Sequence, residues 1–313
     1  MSPLLLTVIQ AVLVLGLAPL TVGLVRWFKA RLQGRQGAVP WLPYVALATM
    51  LRREMVISES TSWVFRLVPF VVCATGVFLV LILPLVSTGS ALSAYSHFML
   101  VAGVLALGSV FLVLGGLDSA SAFGGMGSSR EMTIASLVEP AVFAVFAAFA
   151  VASGHATIDG MVQTGGAALL VTPALLFSLI ALVLIALAEN ARYPVDNPAT
   201  HLELTMVHEA MVLEYSGPYL AMVEYASALR LTVFLLLLAN FTVPTSFLFH
   251  PSAWQTGATA AVLVGTFLKL LLGSFLLALL ETSIVKMRFY RMQEYLSLAF
   301  VIALAGLLLT LFL

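Results

Sequence analysis

The sequence has few charged residues and a single cysteine, Cys73. Of its 313 residues, 9% are charged and 62% are hydrophobic, whereas a soluble domain has about 25% charged residues. One cysteine cannot form an internal disulfide, and it cannot supply the set of thiolates that an iron–sulfur cluster needs. Glycine-rich fingerprints for dinucleotides or phosphates are also missing. We therefore expect no cofactor or metal on this chain, so any redox centre has to reside on a partner.

Long uncharged runs recur along the whole sequence. Each is close to the ~20 residues that cross a hydrocarbon core of ~30 Å. They predict an all-α membrane protein of about eight transmembrane helices, forming a single domain over residues 1–313. The predicted spans are Pro3–Trp27, Trp63–Val86, His97–Leu117, Thr133–Ser153, Ala167–Ala188, Tyr225–Phe249, Thr259–Leu280 and Tyr295–Leu313.

The basic residues predict the orientation. All 14 lysines and arginines except Lys269 are assigned to loops on one side, with Arg192 and Arg230 bracketing the loop between spans five and six. By the positive-inside rule these loops, at about residues 28–62, 118–132, 189–224 and 281–294, are cytoplasmic and both termini lie outside. The N-terminal run has no basic flank and is interpreted as a retained helix. We expect a multi-pass protein of the inner (cytoplasmic) membrane of a prokaryote.

Two of the cytoplasmic loops carry further signals. In the first, the apolar segment Val39–Val56 is too short to cross, and it predicts an interfacial or re-entrant helix that starts near Pro43. In the second, the glycines at 124, 125 and 127 predict a tight turn. Ser128 or Ser129 is then expected to cap span four, with Glu131 in its first turn.

The third loop, Glu189–Glu224, concentrates the acidic residues. It holds six of the 14 carboxylates, and a short helix over His201–Tyr215, capped by Thr200, is predicted there. A zinc site is not expected, because Val212 occupies the place that a second histidine would need. The six acidic residues are Glu189, Asp196, Glu203, Glu209, Glu214 and Glu224.

Two ionisable residues are placed inside predicted spans. Glu139 precedes Pro140 in span four, and Lys269 lies halfway along span seven. Such residues are functional by default in a membrane. Buried carboxylates with few cations nearby have raised pKa values and can exchange protons near neutral pH. The predicted proton path consists of Glu139, Glu189, Glu203, Glu209, Glu214, Glu224 and Lys269.

Four motifs carry a resemblance to a known family. The longest is PVDNPATHLELTMVHEAMVLEYSGPYLAMVEYASALRL, beginning at Pro194, and the others are LQGRQG, GSSREMTIASLVEP and ETSIVKMRFYRMQEYL. They resemble complex I subunit 1, most closely the version in formate hydrogenlyase and related energy-converting nickel–iron hydrogenases. The resemblance covers essentially the whole chain.

The resemblance implies a membrane anchor and proton-coupling subunit that is not catalytic alone. Expected partners are a hydrogenase-like large subunit with a nickel–iron centre, a small subunit with iron–sulfur clusters and an antiporter-like membrane subunit. By motif, Asp196 and the acidic residues of the proton path resemble the family's acidic residues at the arm junction and funnel, and Lys269 resembles a lysine of the family's seventh span. Residues predicted to dock that arm are Arg130, Glu131, Asp196, His201 and His208.

Departures from the family keep alternatives open. Relatives commonly read PYRDLWKLLRKE where this chain reads PYVALATMLRRE, so Ala46 and Thr49 replace charged residues. The quinone-reducing branch carries a DLTEGESEL-like run in place of HLELTMVHEA, which disfavours a quinone-reducing counterpart without removing it. A third hypothesis is that the chain is a stand-alone secondary transporter, but such a protein would need an inverted repeat that the sequence lacks.

Overall fold

Helices account for nearly all of the regular structure in the described part of the chain. The computed structural model describes residues 3–165, 172–196, 207–243, 256–284 and 289–312. The helices are α1 (Pro3–Leu32), α2 (Leu42–Leu51), α3 (Trp63–Ile82), α4 (Phe98–Asp118), α5 (Ala122–Ser153), α6 (Ile158–Gly165), α7 (Pro173–Glu189), α8 (His208–Val212), α9 (Gly217–Thr242), α10 (Thr256–Ser283) and α11 (Phe289–Phe312).

Eight of these helices correspond to the eight predicted spans. Seven are long and apolar enough to cross a membrane, and α7 is a shorter apolar helix. The prediction of an all-α membrane protein is therefore confirmed. The helix in the first loop is confirmed as α2, none of whose residues is buried. We call the end of the bundle that carries α2 the basic face, and the end that carries the 83–97 segment the opposite face.

Helix α9 occupies the centre of the bundle. It packs against α1, α3 and α10 and also contacts α2 and α7. It is the most enclosed of the seven long apolar helices in the described part. Helix α11 closes the other side by packing on α5 and α7. Polar residues on α9 therefore face other helices and not lipid. Membrane proteins usually place the polar residues of their spans in this way.

The start of α5 corrects the prediction for the second cytoplasmic loop. The helix begins at Ala122 and not near Thr133, and its N-cap is Ser121, whose Oγ accepts a hydrogen bond from Gly124 N at 3.0 Å. The predicted turn, the caps at Ser128 or Ser129 and the placing of Glu131 in a first turn are wrong. Arg130, assigned to a loop, also lies within α5.

The glycines of this segment serve helix packing instead of a turn. A Cβ on Gly124 would lie 2.3 Å from Gly116 O, and one on Gly127 would lie 2.9 Å from Val207 O. Only glycine lets α5 approach α4 and α8 this closely. Two of the three glycines that predict a turn in isolation, Gly124 and Gly127, are thus required by tertiary packing.

The third loop is shorter than predicted. Helix α9 begins at Gly217, with Pro218 in its first turn, and not at Tyr225. The predicted helix over His201–Tyr215 is confirmed only as α8, because Leu213–Tyr215 are not helical and residues 197–206 lie outside the described part. The other loops are shortened too, since α1 continues to Leu32 and α10 to Ser283.

Candidate functional site

The candidate site is a cluster of ionisable residues at the basic-face end of the bundle. Its centre is Glu189, the last residue of α7, and Arg230, which lies within α9. Arg230 Nη1 is 3.5 Å from Glu189 Oε2, and the two side chains are 15% and 9% exposed. Arg230 Nη1 also donates to Ser109 Oγ of α4 at 3.2 Å. Three helices therefore hold one ion pair inside the bundle.

Two acidic residues of α5 lie within electrostatic range of this pair. Glu139 of α5 is in electrostatic range of Glu189. Glu131 of α5 is in range of Glu189, Arg230 and Asp196. One guanidinium is thus shared among several carboxylates that are largely withdrawn from water. In such a set, adding or removing one proton changes the energy of all the others.

Asp196 and His208 complete the cluster from the third loop. Asp196 is 3% exposed, and its Oδ2 accepts a hydrogen bond from Val207 N at 3.2 Å, which fixes the start of α8. Burial lowers the pKa of His208 to about 4, and nearby Arg230 adds to this while Asp196 opposes it. His208 is therefore neutral at pH 7, with one ring nitrogen that accepts a hydrogen bond and one N–H that donates one.

A small cavity adjoins the cluster. It has a volume of about 30 Å³, and its lining includes Glu189, Asn190, His208 and Arg230. The Oδ1 atom of Asn190 is buried and makes no hydrogen bond with the described residues. Since a water molecule needs about 10–15 Å³ and two or more polar partners, this space suits one or two bound waters. The cavity can therefore link the cluster's titratable groups.

A second ion-pair group lies beside the cluster on the basic face. Glu281 is 4% exposed, and its two oxygens contact Lys29 Nζ at 2.8 Å and Arg192 Nη1 at 3.3 Å. Burial lowers the pKa of Arg192, and the Glu281 carboxylate and Glu224 oppose that shift. Glu224 is therefore within electrostatic range of Arg192. The pairs tie α1 and α10 to the segment that follows α7.

The remaining predicted site residues are dispersed. Glu214 is exposed, Glu209 is partly buried, and Arg130 is partly buried on α5. Lys269 reaches no carboxylate among the described residues; its Nζ donates to Asn240 Oδ1 at 2.9 Å, nearer the opposite face. His201 and Glu203 lie outside the described residues. Within the described part, no three His, Cys, Asp or Glu residues form a group suited to a metal ion.

Arg230 and Glu281 were not identified as site residues from the sequence. Arg230 falls inside the predicted sixth span, and an arginine inside a span is itself a sign of function. Counting it among the loop cations hides that signal, and the structure corrects its assignment by placing it within α9. Glu281 stands at the predicted cytoplasmic end of span seven, where a charged residue is ordinary, and only the structure shows its contacts with Lys29 and Arg192.

Comparison with known proteins agrees with this architecture. Residues 4–311 match the family described as NADH dehydrogenase. The chain is 30% identical to hydrogenase-4 component C of Escherichia coli (strain K12), with 94% of this chain and 91% of that protein covered. It is 28% identical to formate hydrogenlyase subunit 4 of the same organism, with 90% of each chain covered.

A solved structure shares the fold. The membrane-bound sulfane sulfur reductase, an archaeal respiratory membrane complex, contains a chain that superposes with a TM-score of 0.82 at 16% identity, over 99% of this chain and 100% of that one. At this identity the likeness concerns the fold alone. Since the family match spans nearly the whole sequence, this chain belongs to the NADH dehydrogenase subunit 1-like family, as its motifs predict.

Proposed function

We propose that this chain is the membrane anchor and proton-coupling subunit of a membrane-bound, hydrogenase-type complex. The observation that carries the proposal is the cluster around Glu189 and Arg230, a set of interacting ionisable groups enclosed by apolar helices at the face where a peripheral arm would dock. Both curated relatives are named as parts of such complexes, a hydrogenase and a formate hydrogenlyase. Within the family, the chain would act as part of an oxidoreductase and not as an enzyme alone.

The cluster suits transfer of protons driven by a neighbouring redox reaction. A change of charge on a docked partner would alter the electrostatic energy of the shared protons. Glu131, Glu139 and Glu189 would take up or release protons through water in the adjoining cavity, and the neutral His208 would relay them. Arg230 would keep the average charge low enough for the carboxylates to stay buried.

The proposal assigns the redox chemistry to partners. A nickel–iron centre would reside on a large subunit, iron–sulfur clusters on a small subunit, and an antiporter-like subunit would lie alongside in the bilayer. Arg130, Asp196, His201 and His208 are proposed to position that arm. The complex is proposed for a prokaryotic inner membrane, with the termini outside.

Purification of the intact complex tests the anchoring role. A tag on this chain should recover a large subunit whose sequence contains four cysteines able to ligate nickel, together with iron–sulfur and antiporter-like subunits. In proteoliposomes, turnover of that complex should acidify one compartment, and an uncoupler should abolish the gradient. Recovery of this chain alone, or turnover without any gradient, would contradict the proposal.

One observation favours a second candidate, the quinone-reducing counterpart. A cavity of about 670 Å³ lies between α2 and the start of α9, lined by residues such as Val45, Thr49, Arg53, Tyr215 and Leu220. Its volume falls within the ~300–1,000 Å³ typical of small-molecule sites. This candidate predicts that a photoreactive quinone-site inhibitor blocks turnover and labels α2. Full turnover without labelling would exclude it.

A further inference from the structure

A buried, irregular segment follows α3 on the opposite face. Helix α3 ends at Ile82, and residues 83–87 continue as buried chain without regular structure. Backbone N–H and C=O groups without regular structure are tolerated at this depth only where other groups form hydrogen bonds with them or where they border water. The segment therefore identifies a second polar region within the bundle, on the side away from the acidic cluster.

Two buried amide side chains hold this segment. Gln10 Nε2 of α1 donates to Leu83 O at 2.6 Å, and its Oε1 accepts from Ser87 N at 3.4 Å. Asn240 Nδ2 of α9 donates to Pro84 O at 2.8 Å. Both residues are 1% exposed. Asn240 Oδ1 accepts the hydrogen bond from Lys269, so the lysine is connected to the segment through a single side chain.

Two hydroxyls of the same region have unused hydrogen-bonding capacity. Ser87 and Ser90 are each 5% exposed, and their Oγ atoms form no hydrogen bond with any residue that the structure describes. Buried polar groups are nearly always paired. Water is the smallest molecule that can pair with both, and each hydroxyl can donate one hydrogen bond and accept others.

Asp159 connects the region to the surface. Its Oδ1 accepts from Gly89 N at 3.0 Å, and its Oδ2 accepts from Gln163 Nε2 at 2.9 Å. Burial raises the pKa of Asp159, because only 8% of the residue is exposed. Gly89, between the two serines, is exposed. A titratable carboxyl group thus stands where the buried segment meets the opposite face.

We propose that Ser87 and Ser90 bind water beside the segment that Gln10 and Asn240 hold in place, and that this water passes protons between Lys269 and Asp159 at the opposite face. This inference rests on the proposed proton-coupling function. The Lys269 ammonium gives a proton to bound water, a water molecule passes a proton to the Asp159 carboxylate, and Asp159 releases it at the surface. The reverse sequence carries a proton inward. No bond other than those to hydrogen changes.

The other end of the route faces a larger cavity. This cavity has a volume of about 250 Å³ and is lined mainly by apolar side chains of α7, α9 and α10. Lys269 borders it at one level, and Asn190, next to Glu189, borders it at another. Lys269 can therefore exchange protons with water that enters this space, and its apolar lining limits how often water connects the two levels.

Substitution of the two amides tests the route in the reconstituted complex. Gln10→Leu and Asn240→Leu should reduce the protons moved per electron pair severalfold, while redox turnover with the membrane made permeable to protons stays near wild type. Thr232→Val is the matched control, because Thr232 is a buried polar residue of α9 paired with Thr21 Oγ1 of α1 at 2.8 Å. The proposal would be overturned if both leucine variants moved as many protons per electron pair as Thr232→Val.

Adding the variant Glu139→Gln to this experiment distinguishes failure of the water site from failure of the proposed coupling function. If Glu139→Gln lowers coupling while Gln10→Leu and Asn240→Leu do not, the water site is refuted and the coupling function stands. If none of the three variants alters coupling, both are refuted.

A second measurement needs no substitution. Electron cryo-microscopy of the wild-type complex, at a resolution that shows ordered water, should reveal water bonded to Ser87 Oγ and Ser90 Oγ. Absence of density at both hydroxyls, with ordered water visible elsewhere in the bundle, would overturn the proposal even if the leucine variants fail to assemble.

Discussion

At the residue scale, the ion pair between Arg230 and Glu189 controls the chemistry of the cluster. Both side chains are largely buried, and Glu131 is also within electrostatic range of the guanidinium. Breaking such a pair is costly because it leaves an uncompensated charge, whereas replacing both partners with neutral groups costs far less. The pair therefore makes it possible for several carboxylates to occupy one apolar site.

The first prediction concerns this pair. Arg230→Met should destabilise the protein by about 3–5 kcal/mol, because buried carboxylates lose their cation. The double variant Arg230→Met/Glu189→Gln should recover much of that loss. Thermal unfolding of the solubilised complex measures both. Arg52→Met, at an exposed position, is the control and should change stability by no more than about 0.5 kcal/mol. If the losses of stability from Arg230→Met and Glu189→Gln simply added in the double variant, this account would be contradicted.

The second prediction concerns pH. An unfolded histidine has a pKa of about 6.5, and the pKa of His208 in the folded protein is about 4. The unfolded state therefore binds more protons between these values, so stability is complete above about pH 6.5 and falls as the pH decreases towards 4. His208→Gln should remove about 1–3 kcal/mol of this dependence, after allowance for partial exposure. Unfolding midpoints of the wild-type and His208→Gln proteins, measured between about pH 4 and 6.5, test this prediction. The same change of midpoint with pH in both proteins would refute it.

Individual site residues could be predicted from the sequence only where a charged side chain lies within or beside an apolar run. Glu139 and Glu189 are identified in this way, and the structure places them near each other. Arg230 has the same signal, but its assignment to a loop conceals it. Asn240 and Gln10 carry no charge, so only their contacts with the backbone after α3 reveal them.

At the element scale, the start of α5 determines how α8 approaches the cluster. Gly127 lets Val207 and Ala210 pack directly on α5, which places His208 near Arg230. Sequence analysis identifies these glycines as a turn, because glycine favours turns locally and the contact partner lies 80 residues away in the chain. Helix existence was predictable from hydropathy, as were the starts of α1, α3 and α4 to within one residue, but the starts of α5 and α9 were not.

The third prediction follows from this contact. Gly127→Ala should destabilise the protein by about 1–3 kcal/mol, because the added Cβ would lie 2.9 Å from Val207 O and 3.0 Å from Ala210 Cβ. Gly125→Ala is the matched control in the same helix, where a Cβ meets nothing within 4 Å. That control should stabilise the helix by up to about 1 kcal/mol. Equal effects on the unfolding temperature would show that α8 does not depend on this close approach.

At the scale of the whole molecule, the ionisable groups fall into two levels around α9. The acidic cluster lies towards the basic face, and Lys269 with Asn240 lies towards the opposite face. Hydropathy, charge bias and four motifs predict the membrane class, the span count and the family. They do not predict the two levels, because these depend on which helices meet and on where α3 ends.

The most direct test of proton coupling is the number of protons moved per electron pair by the reconstituted complex carrying Glu139→Gln. This residue is partly buried, so its neutralisation should leave assembly and uncoupled turnover intact. Glu59→Gln, at an exposed position before α3, is the control. The account predicts a markedly lower ratio for Glu139→Gln and an unchanged ratio for Glu59→Gln; a wild-type ratio for Glu139→Gln at equal turnover would contradict it.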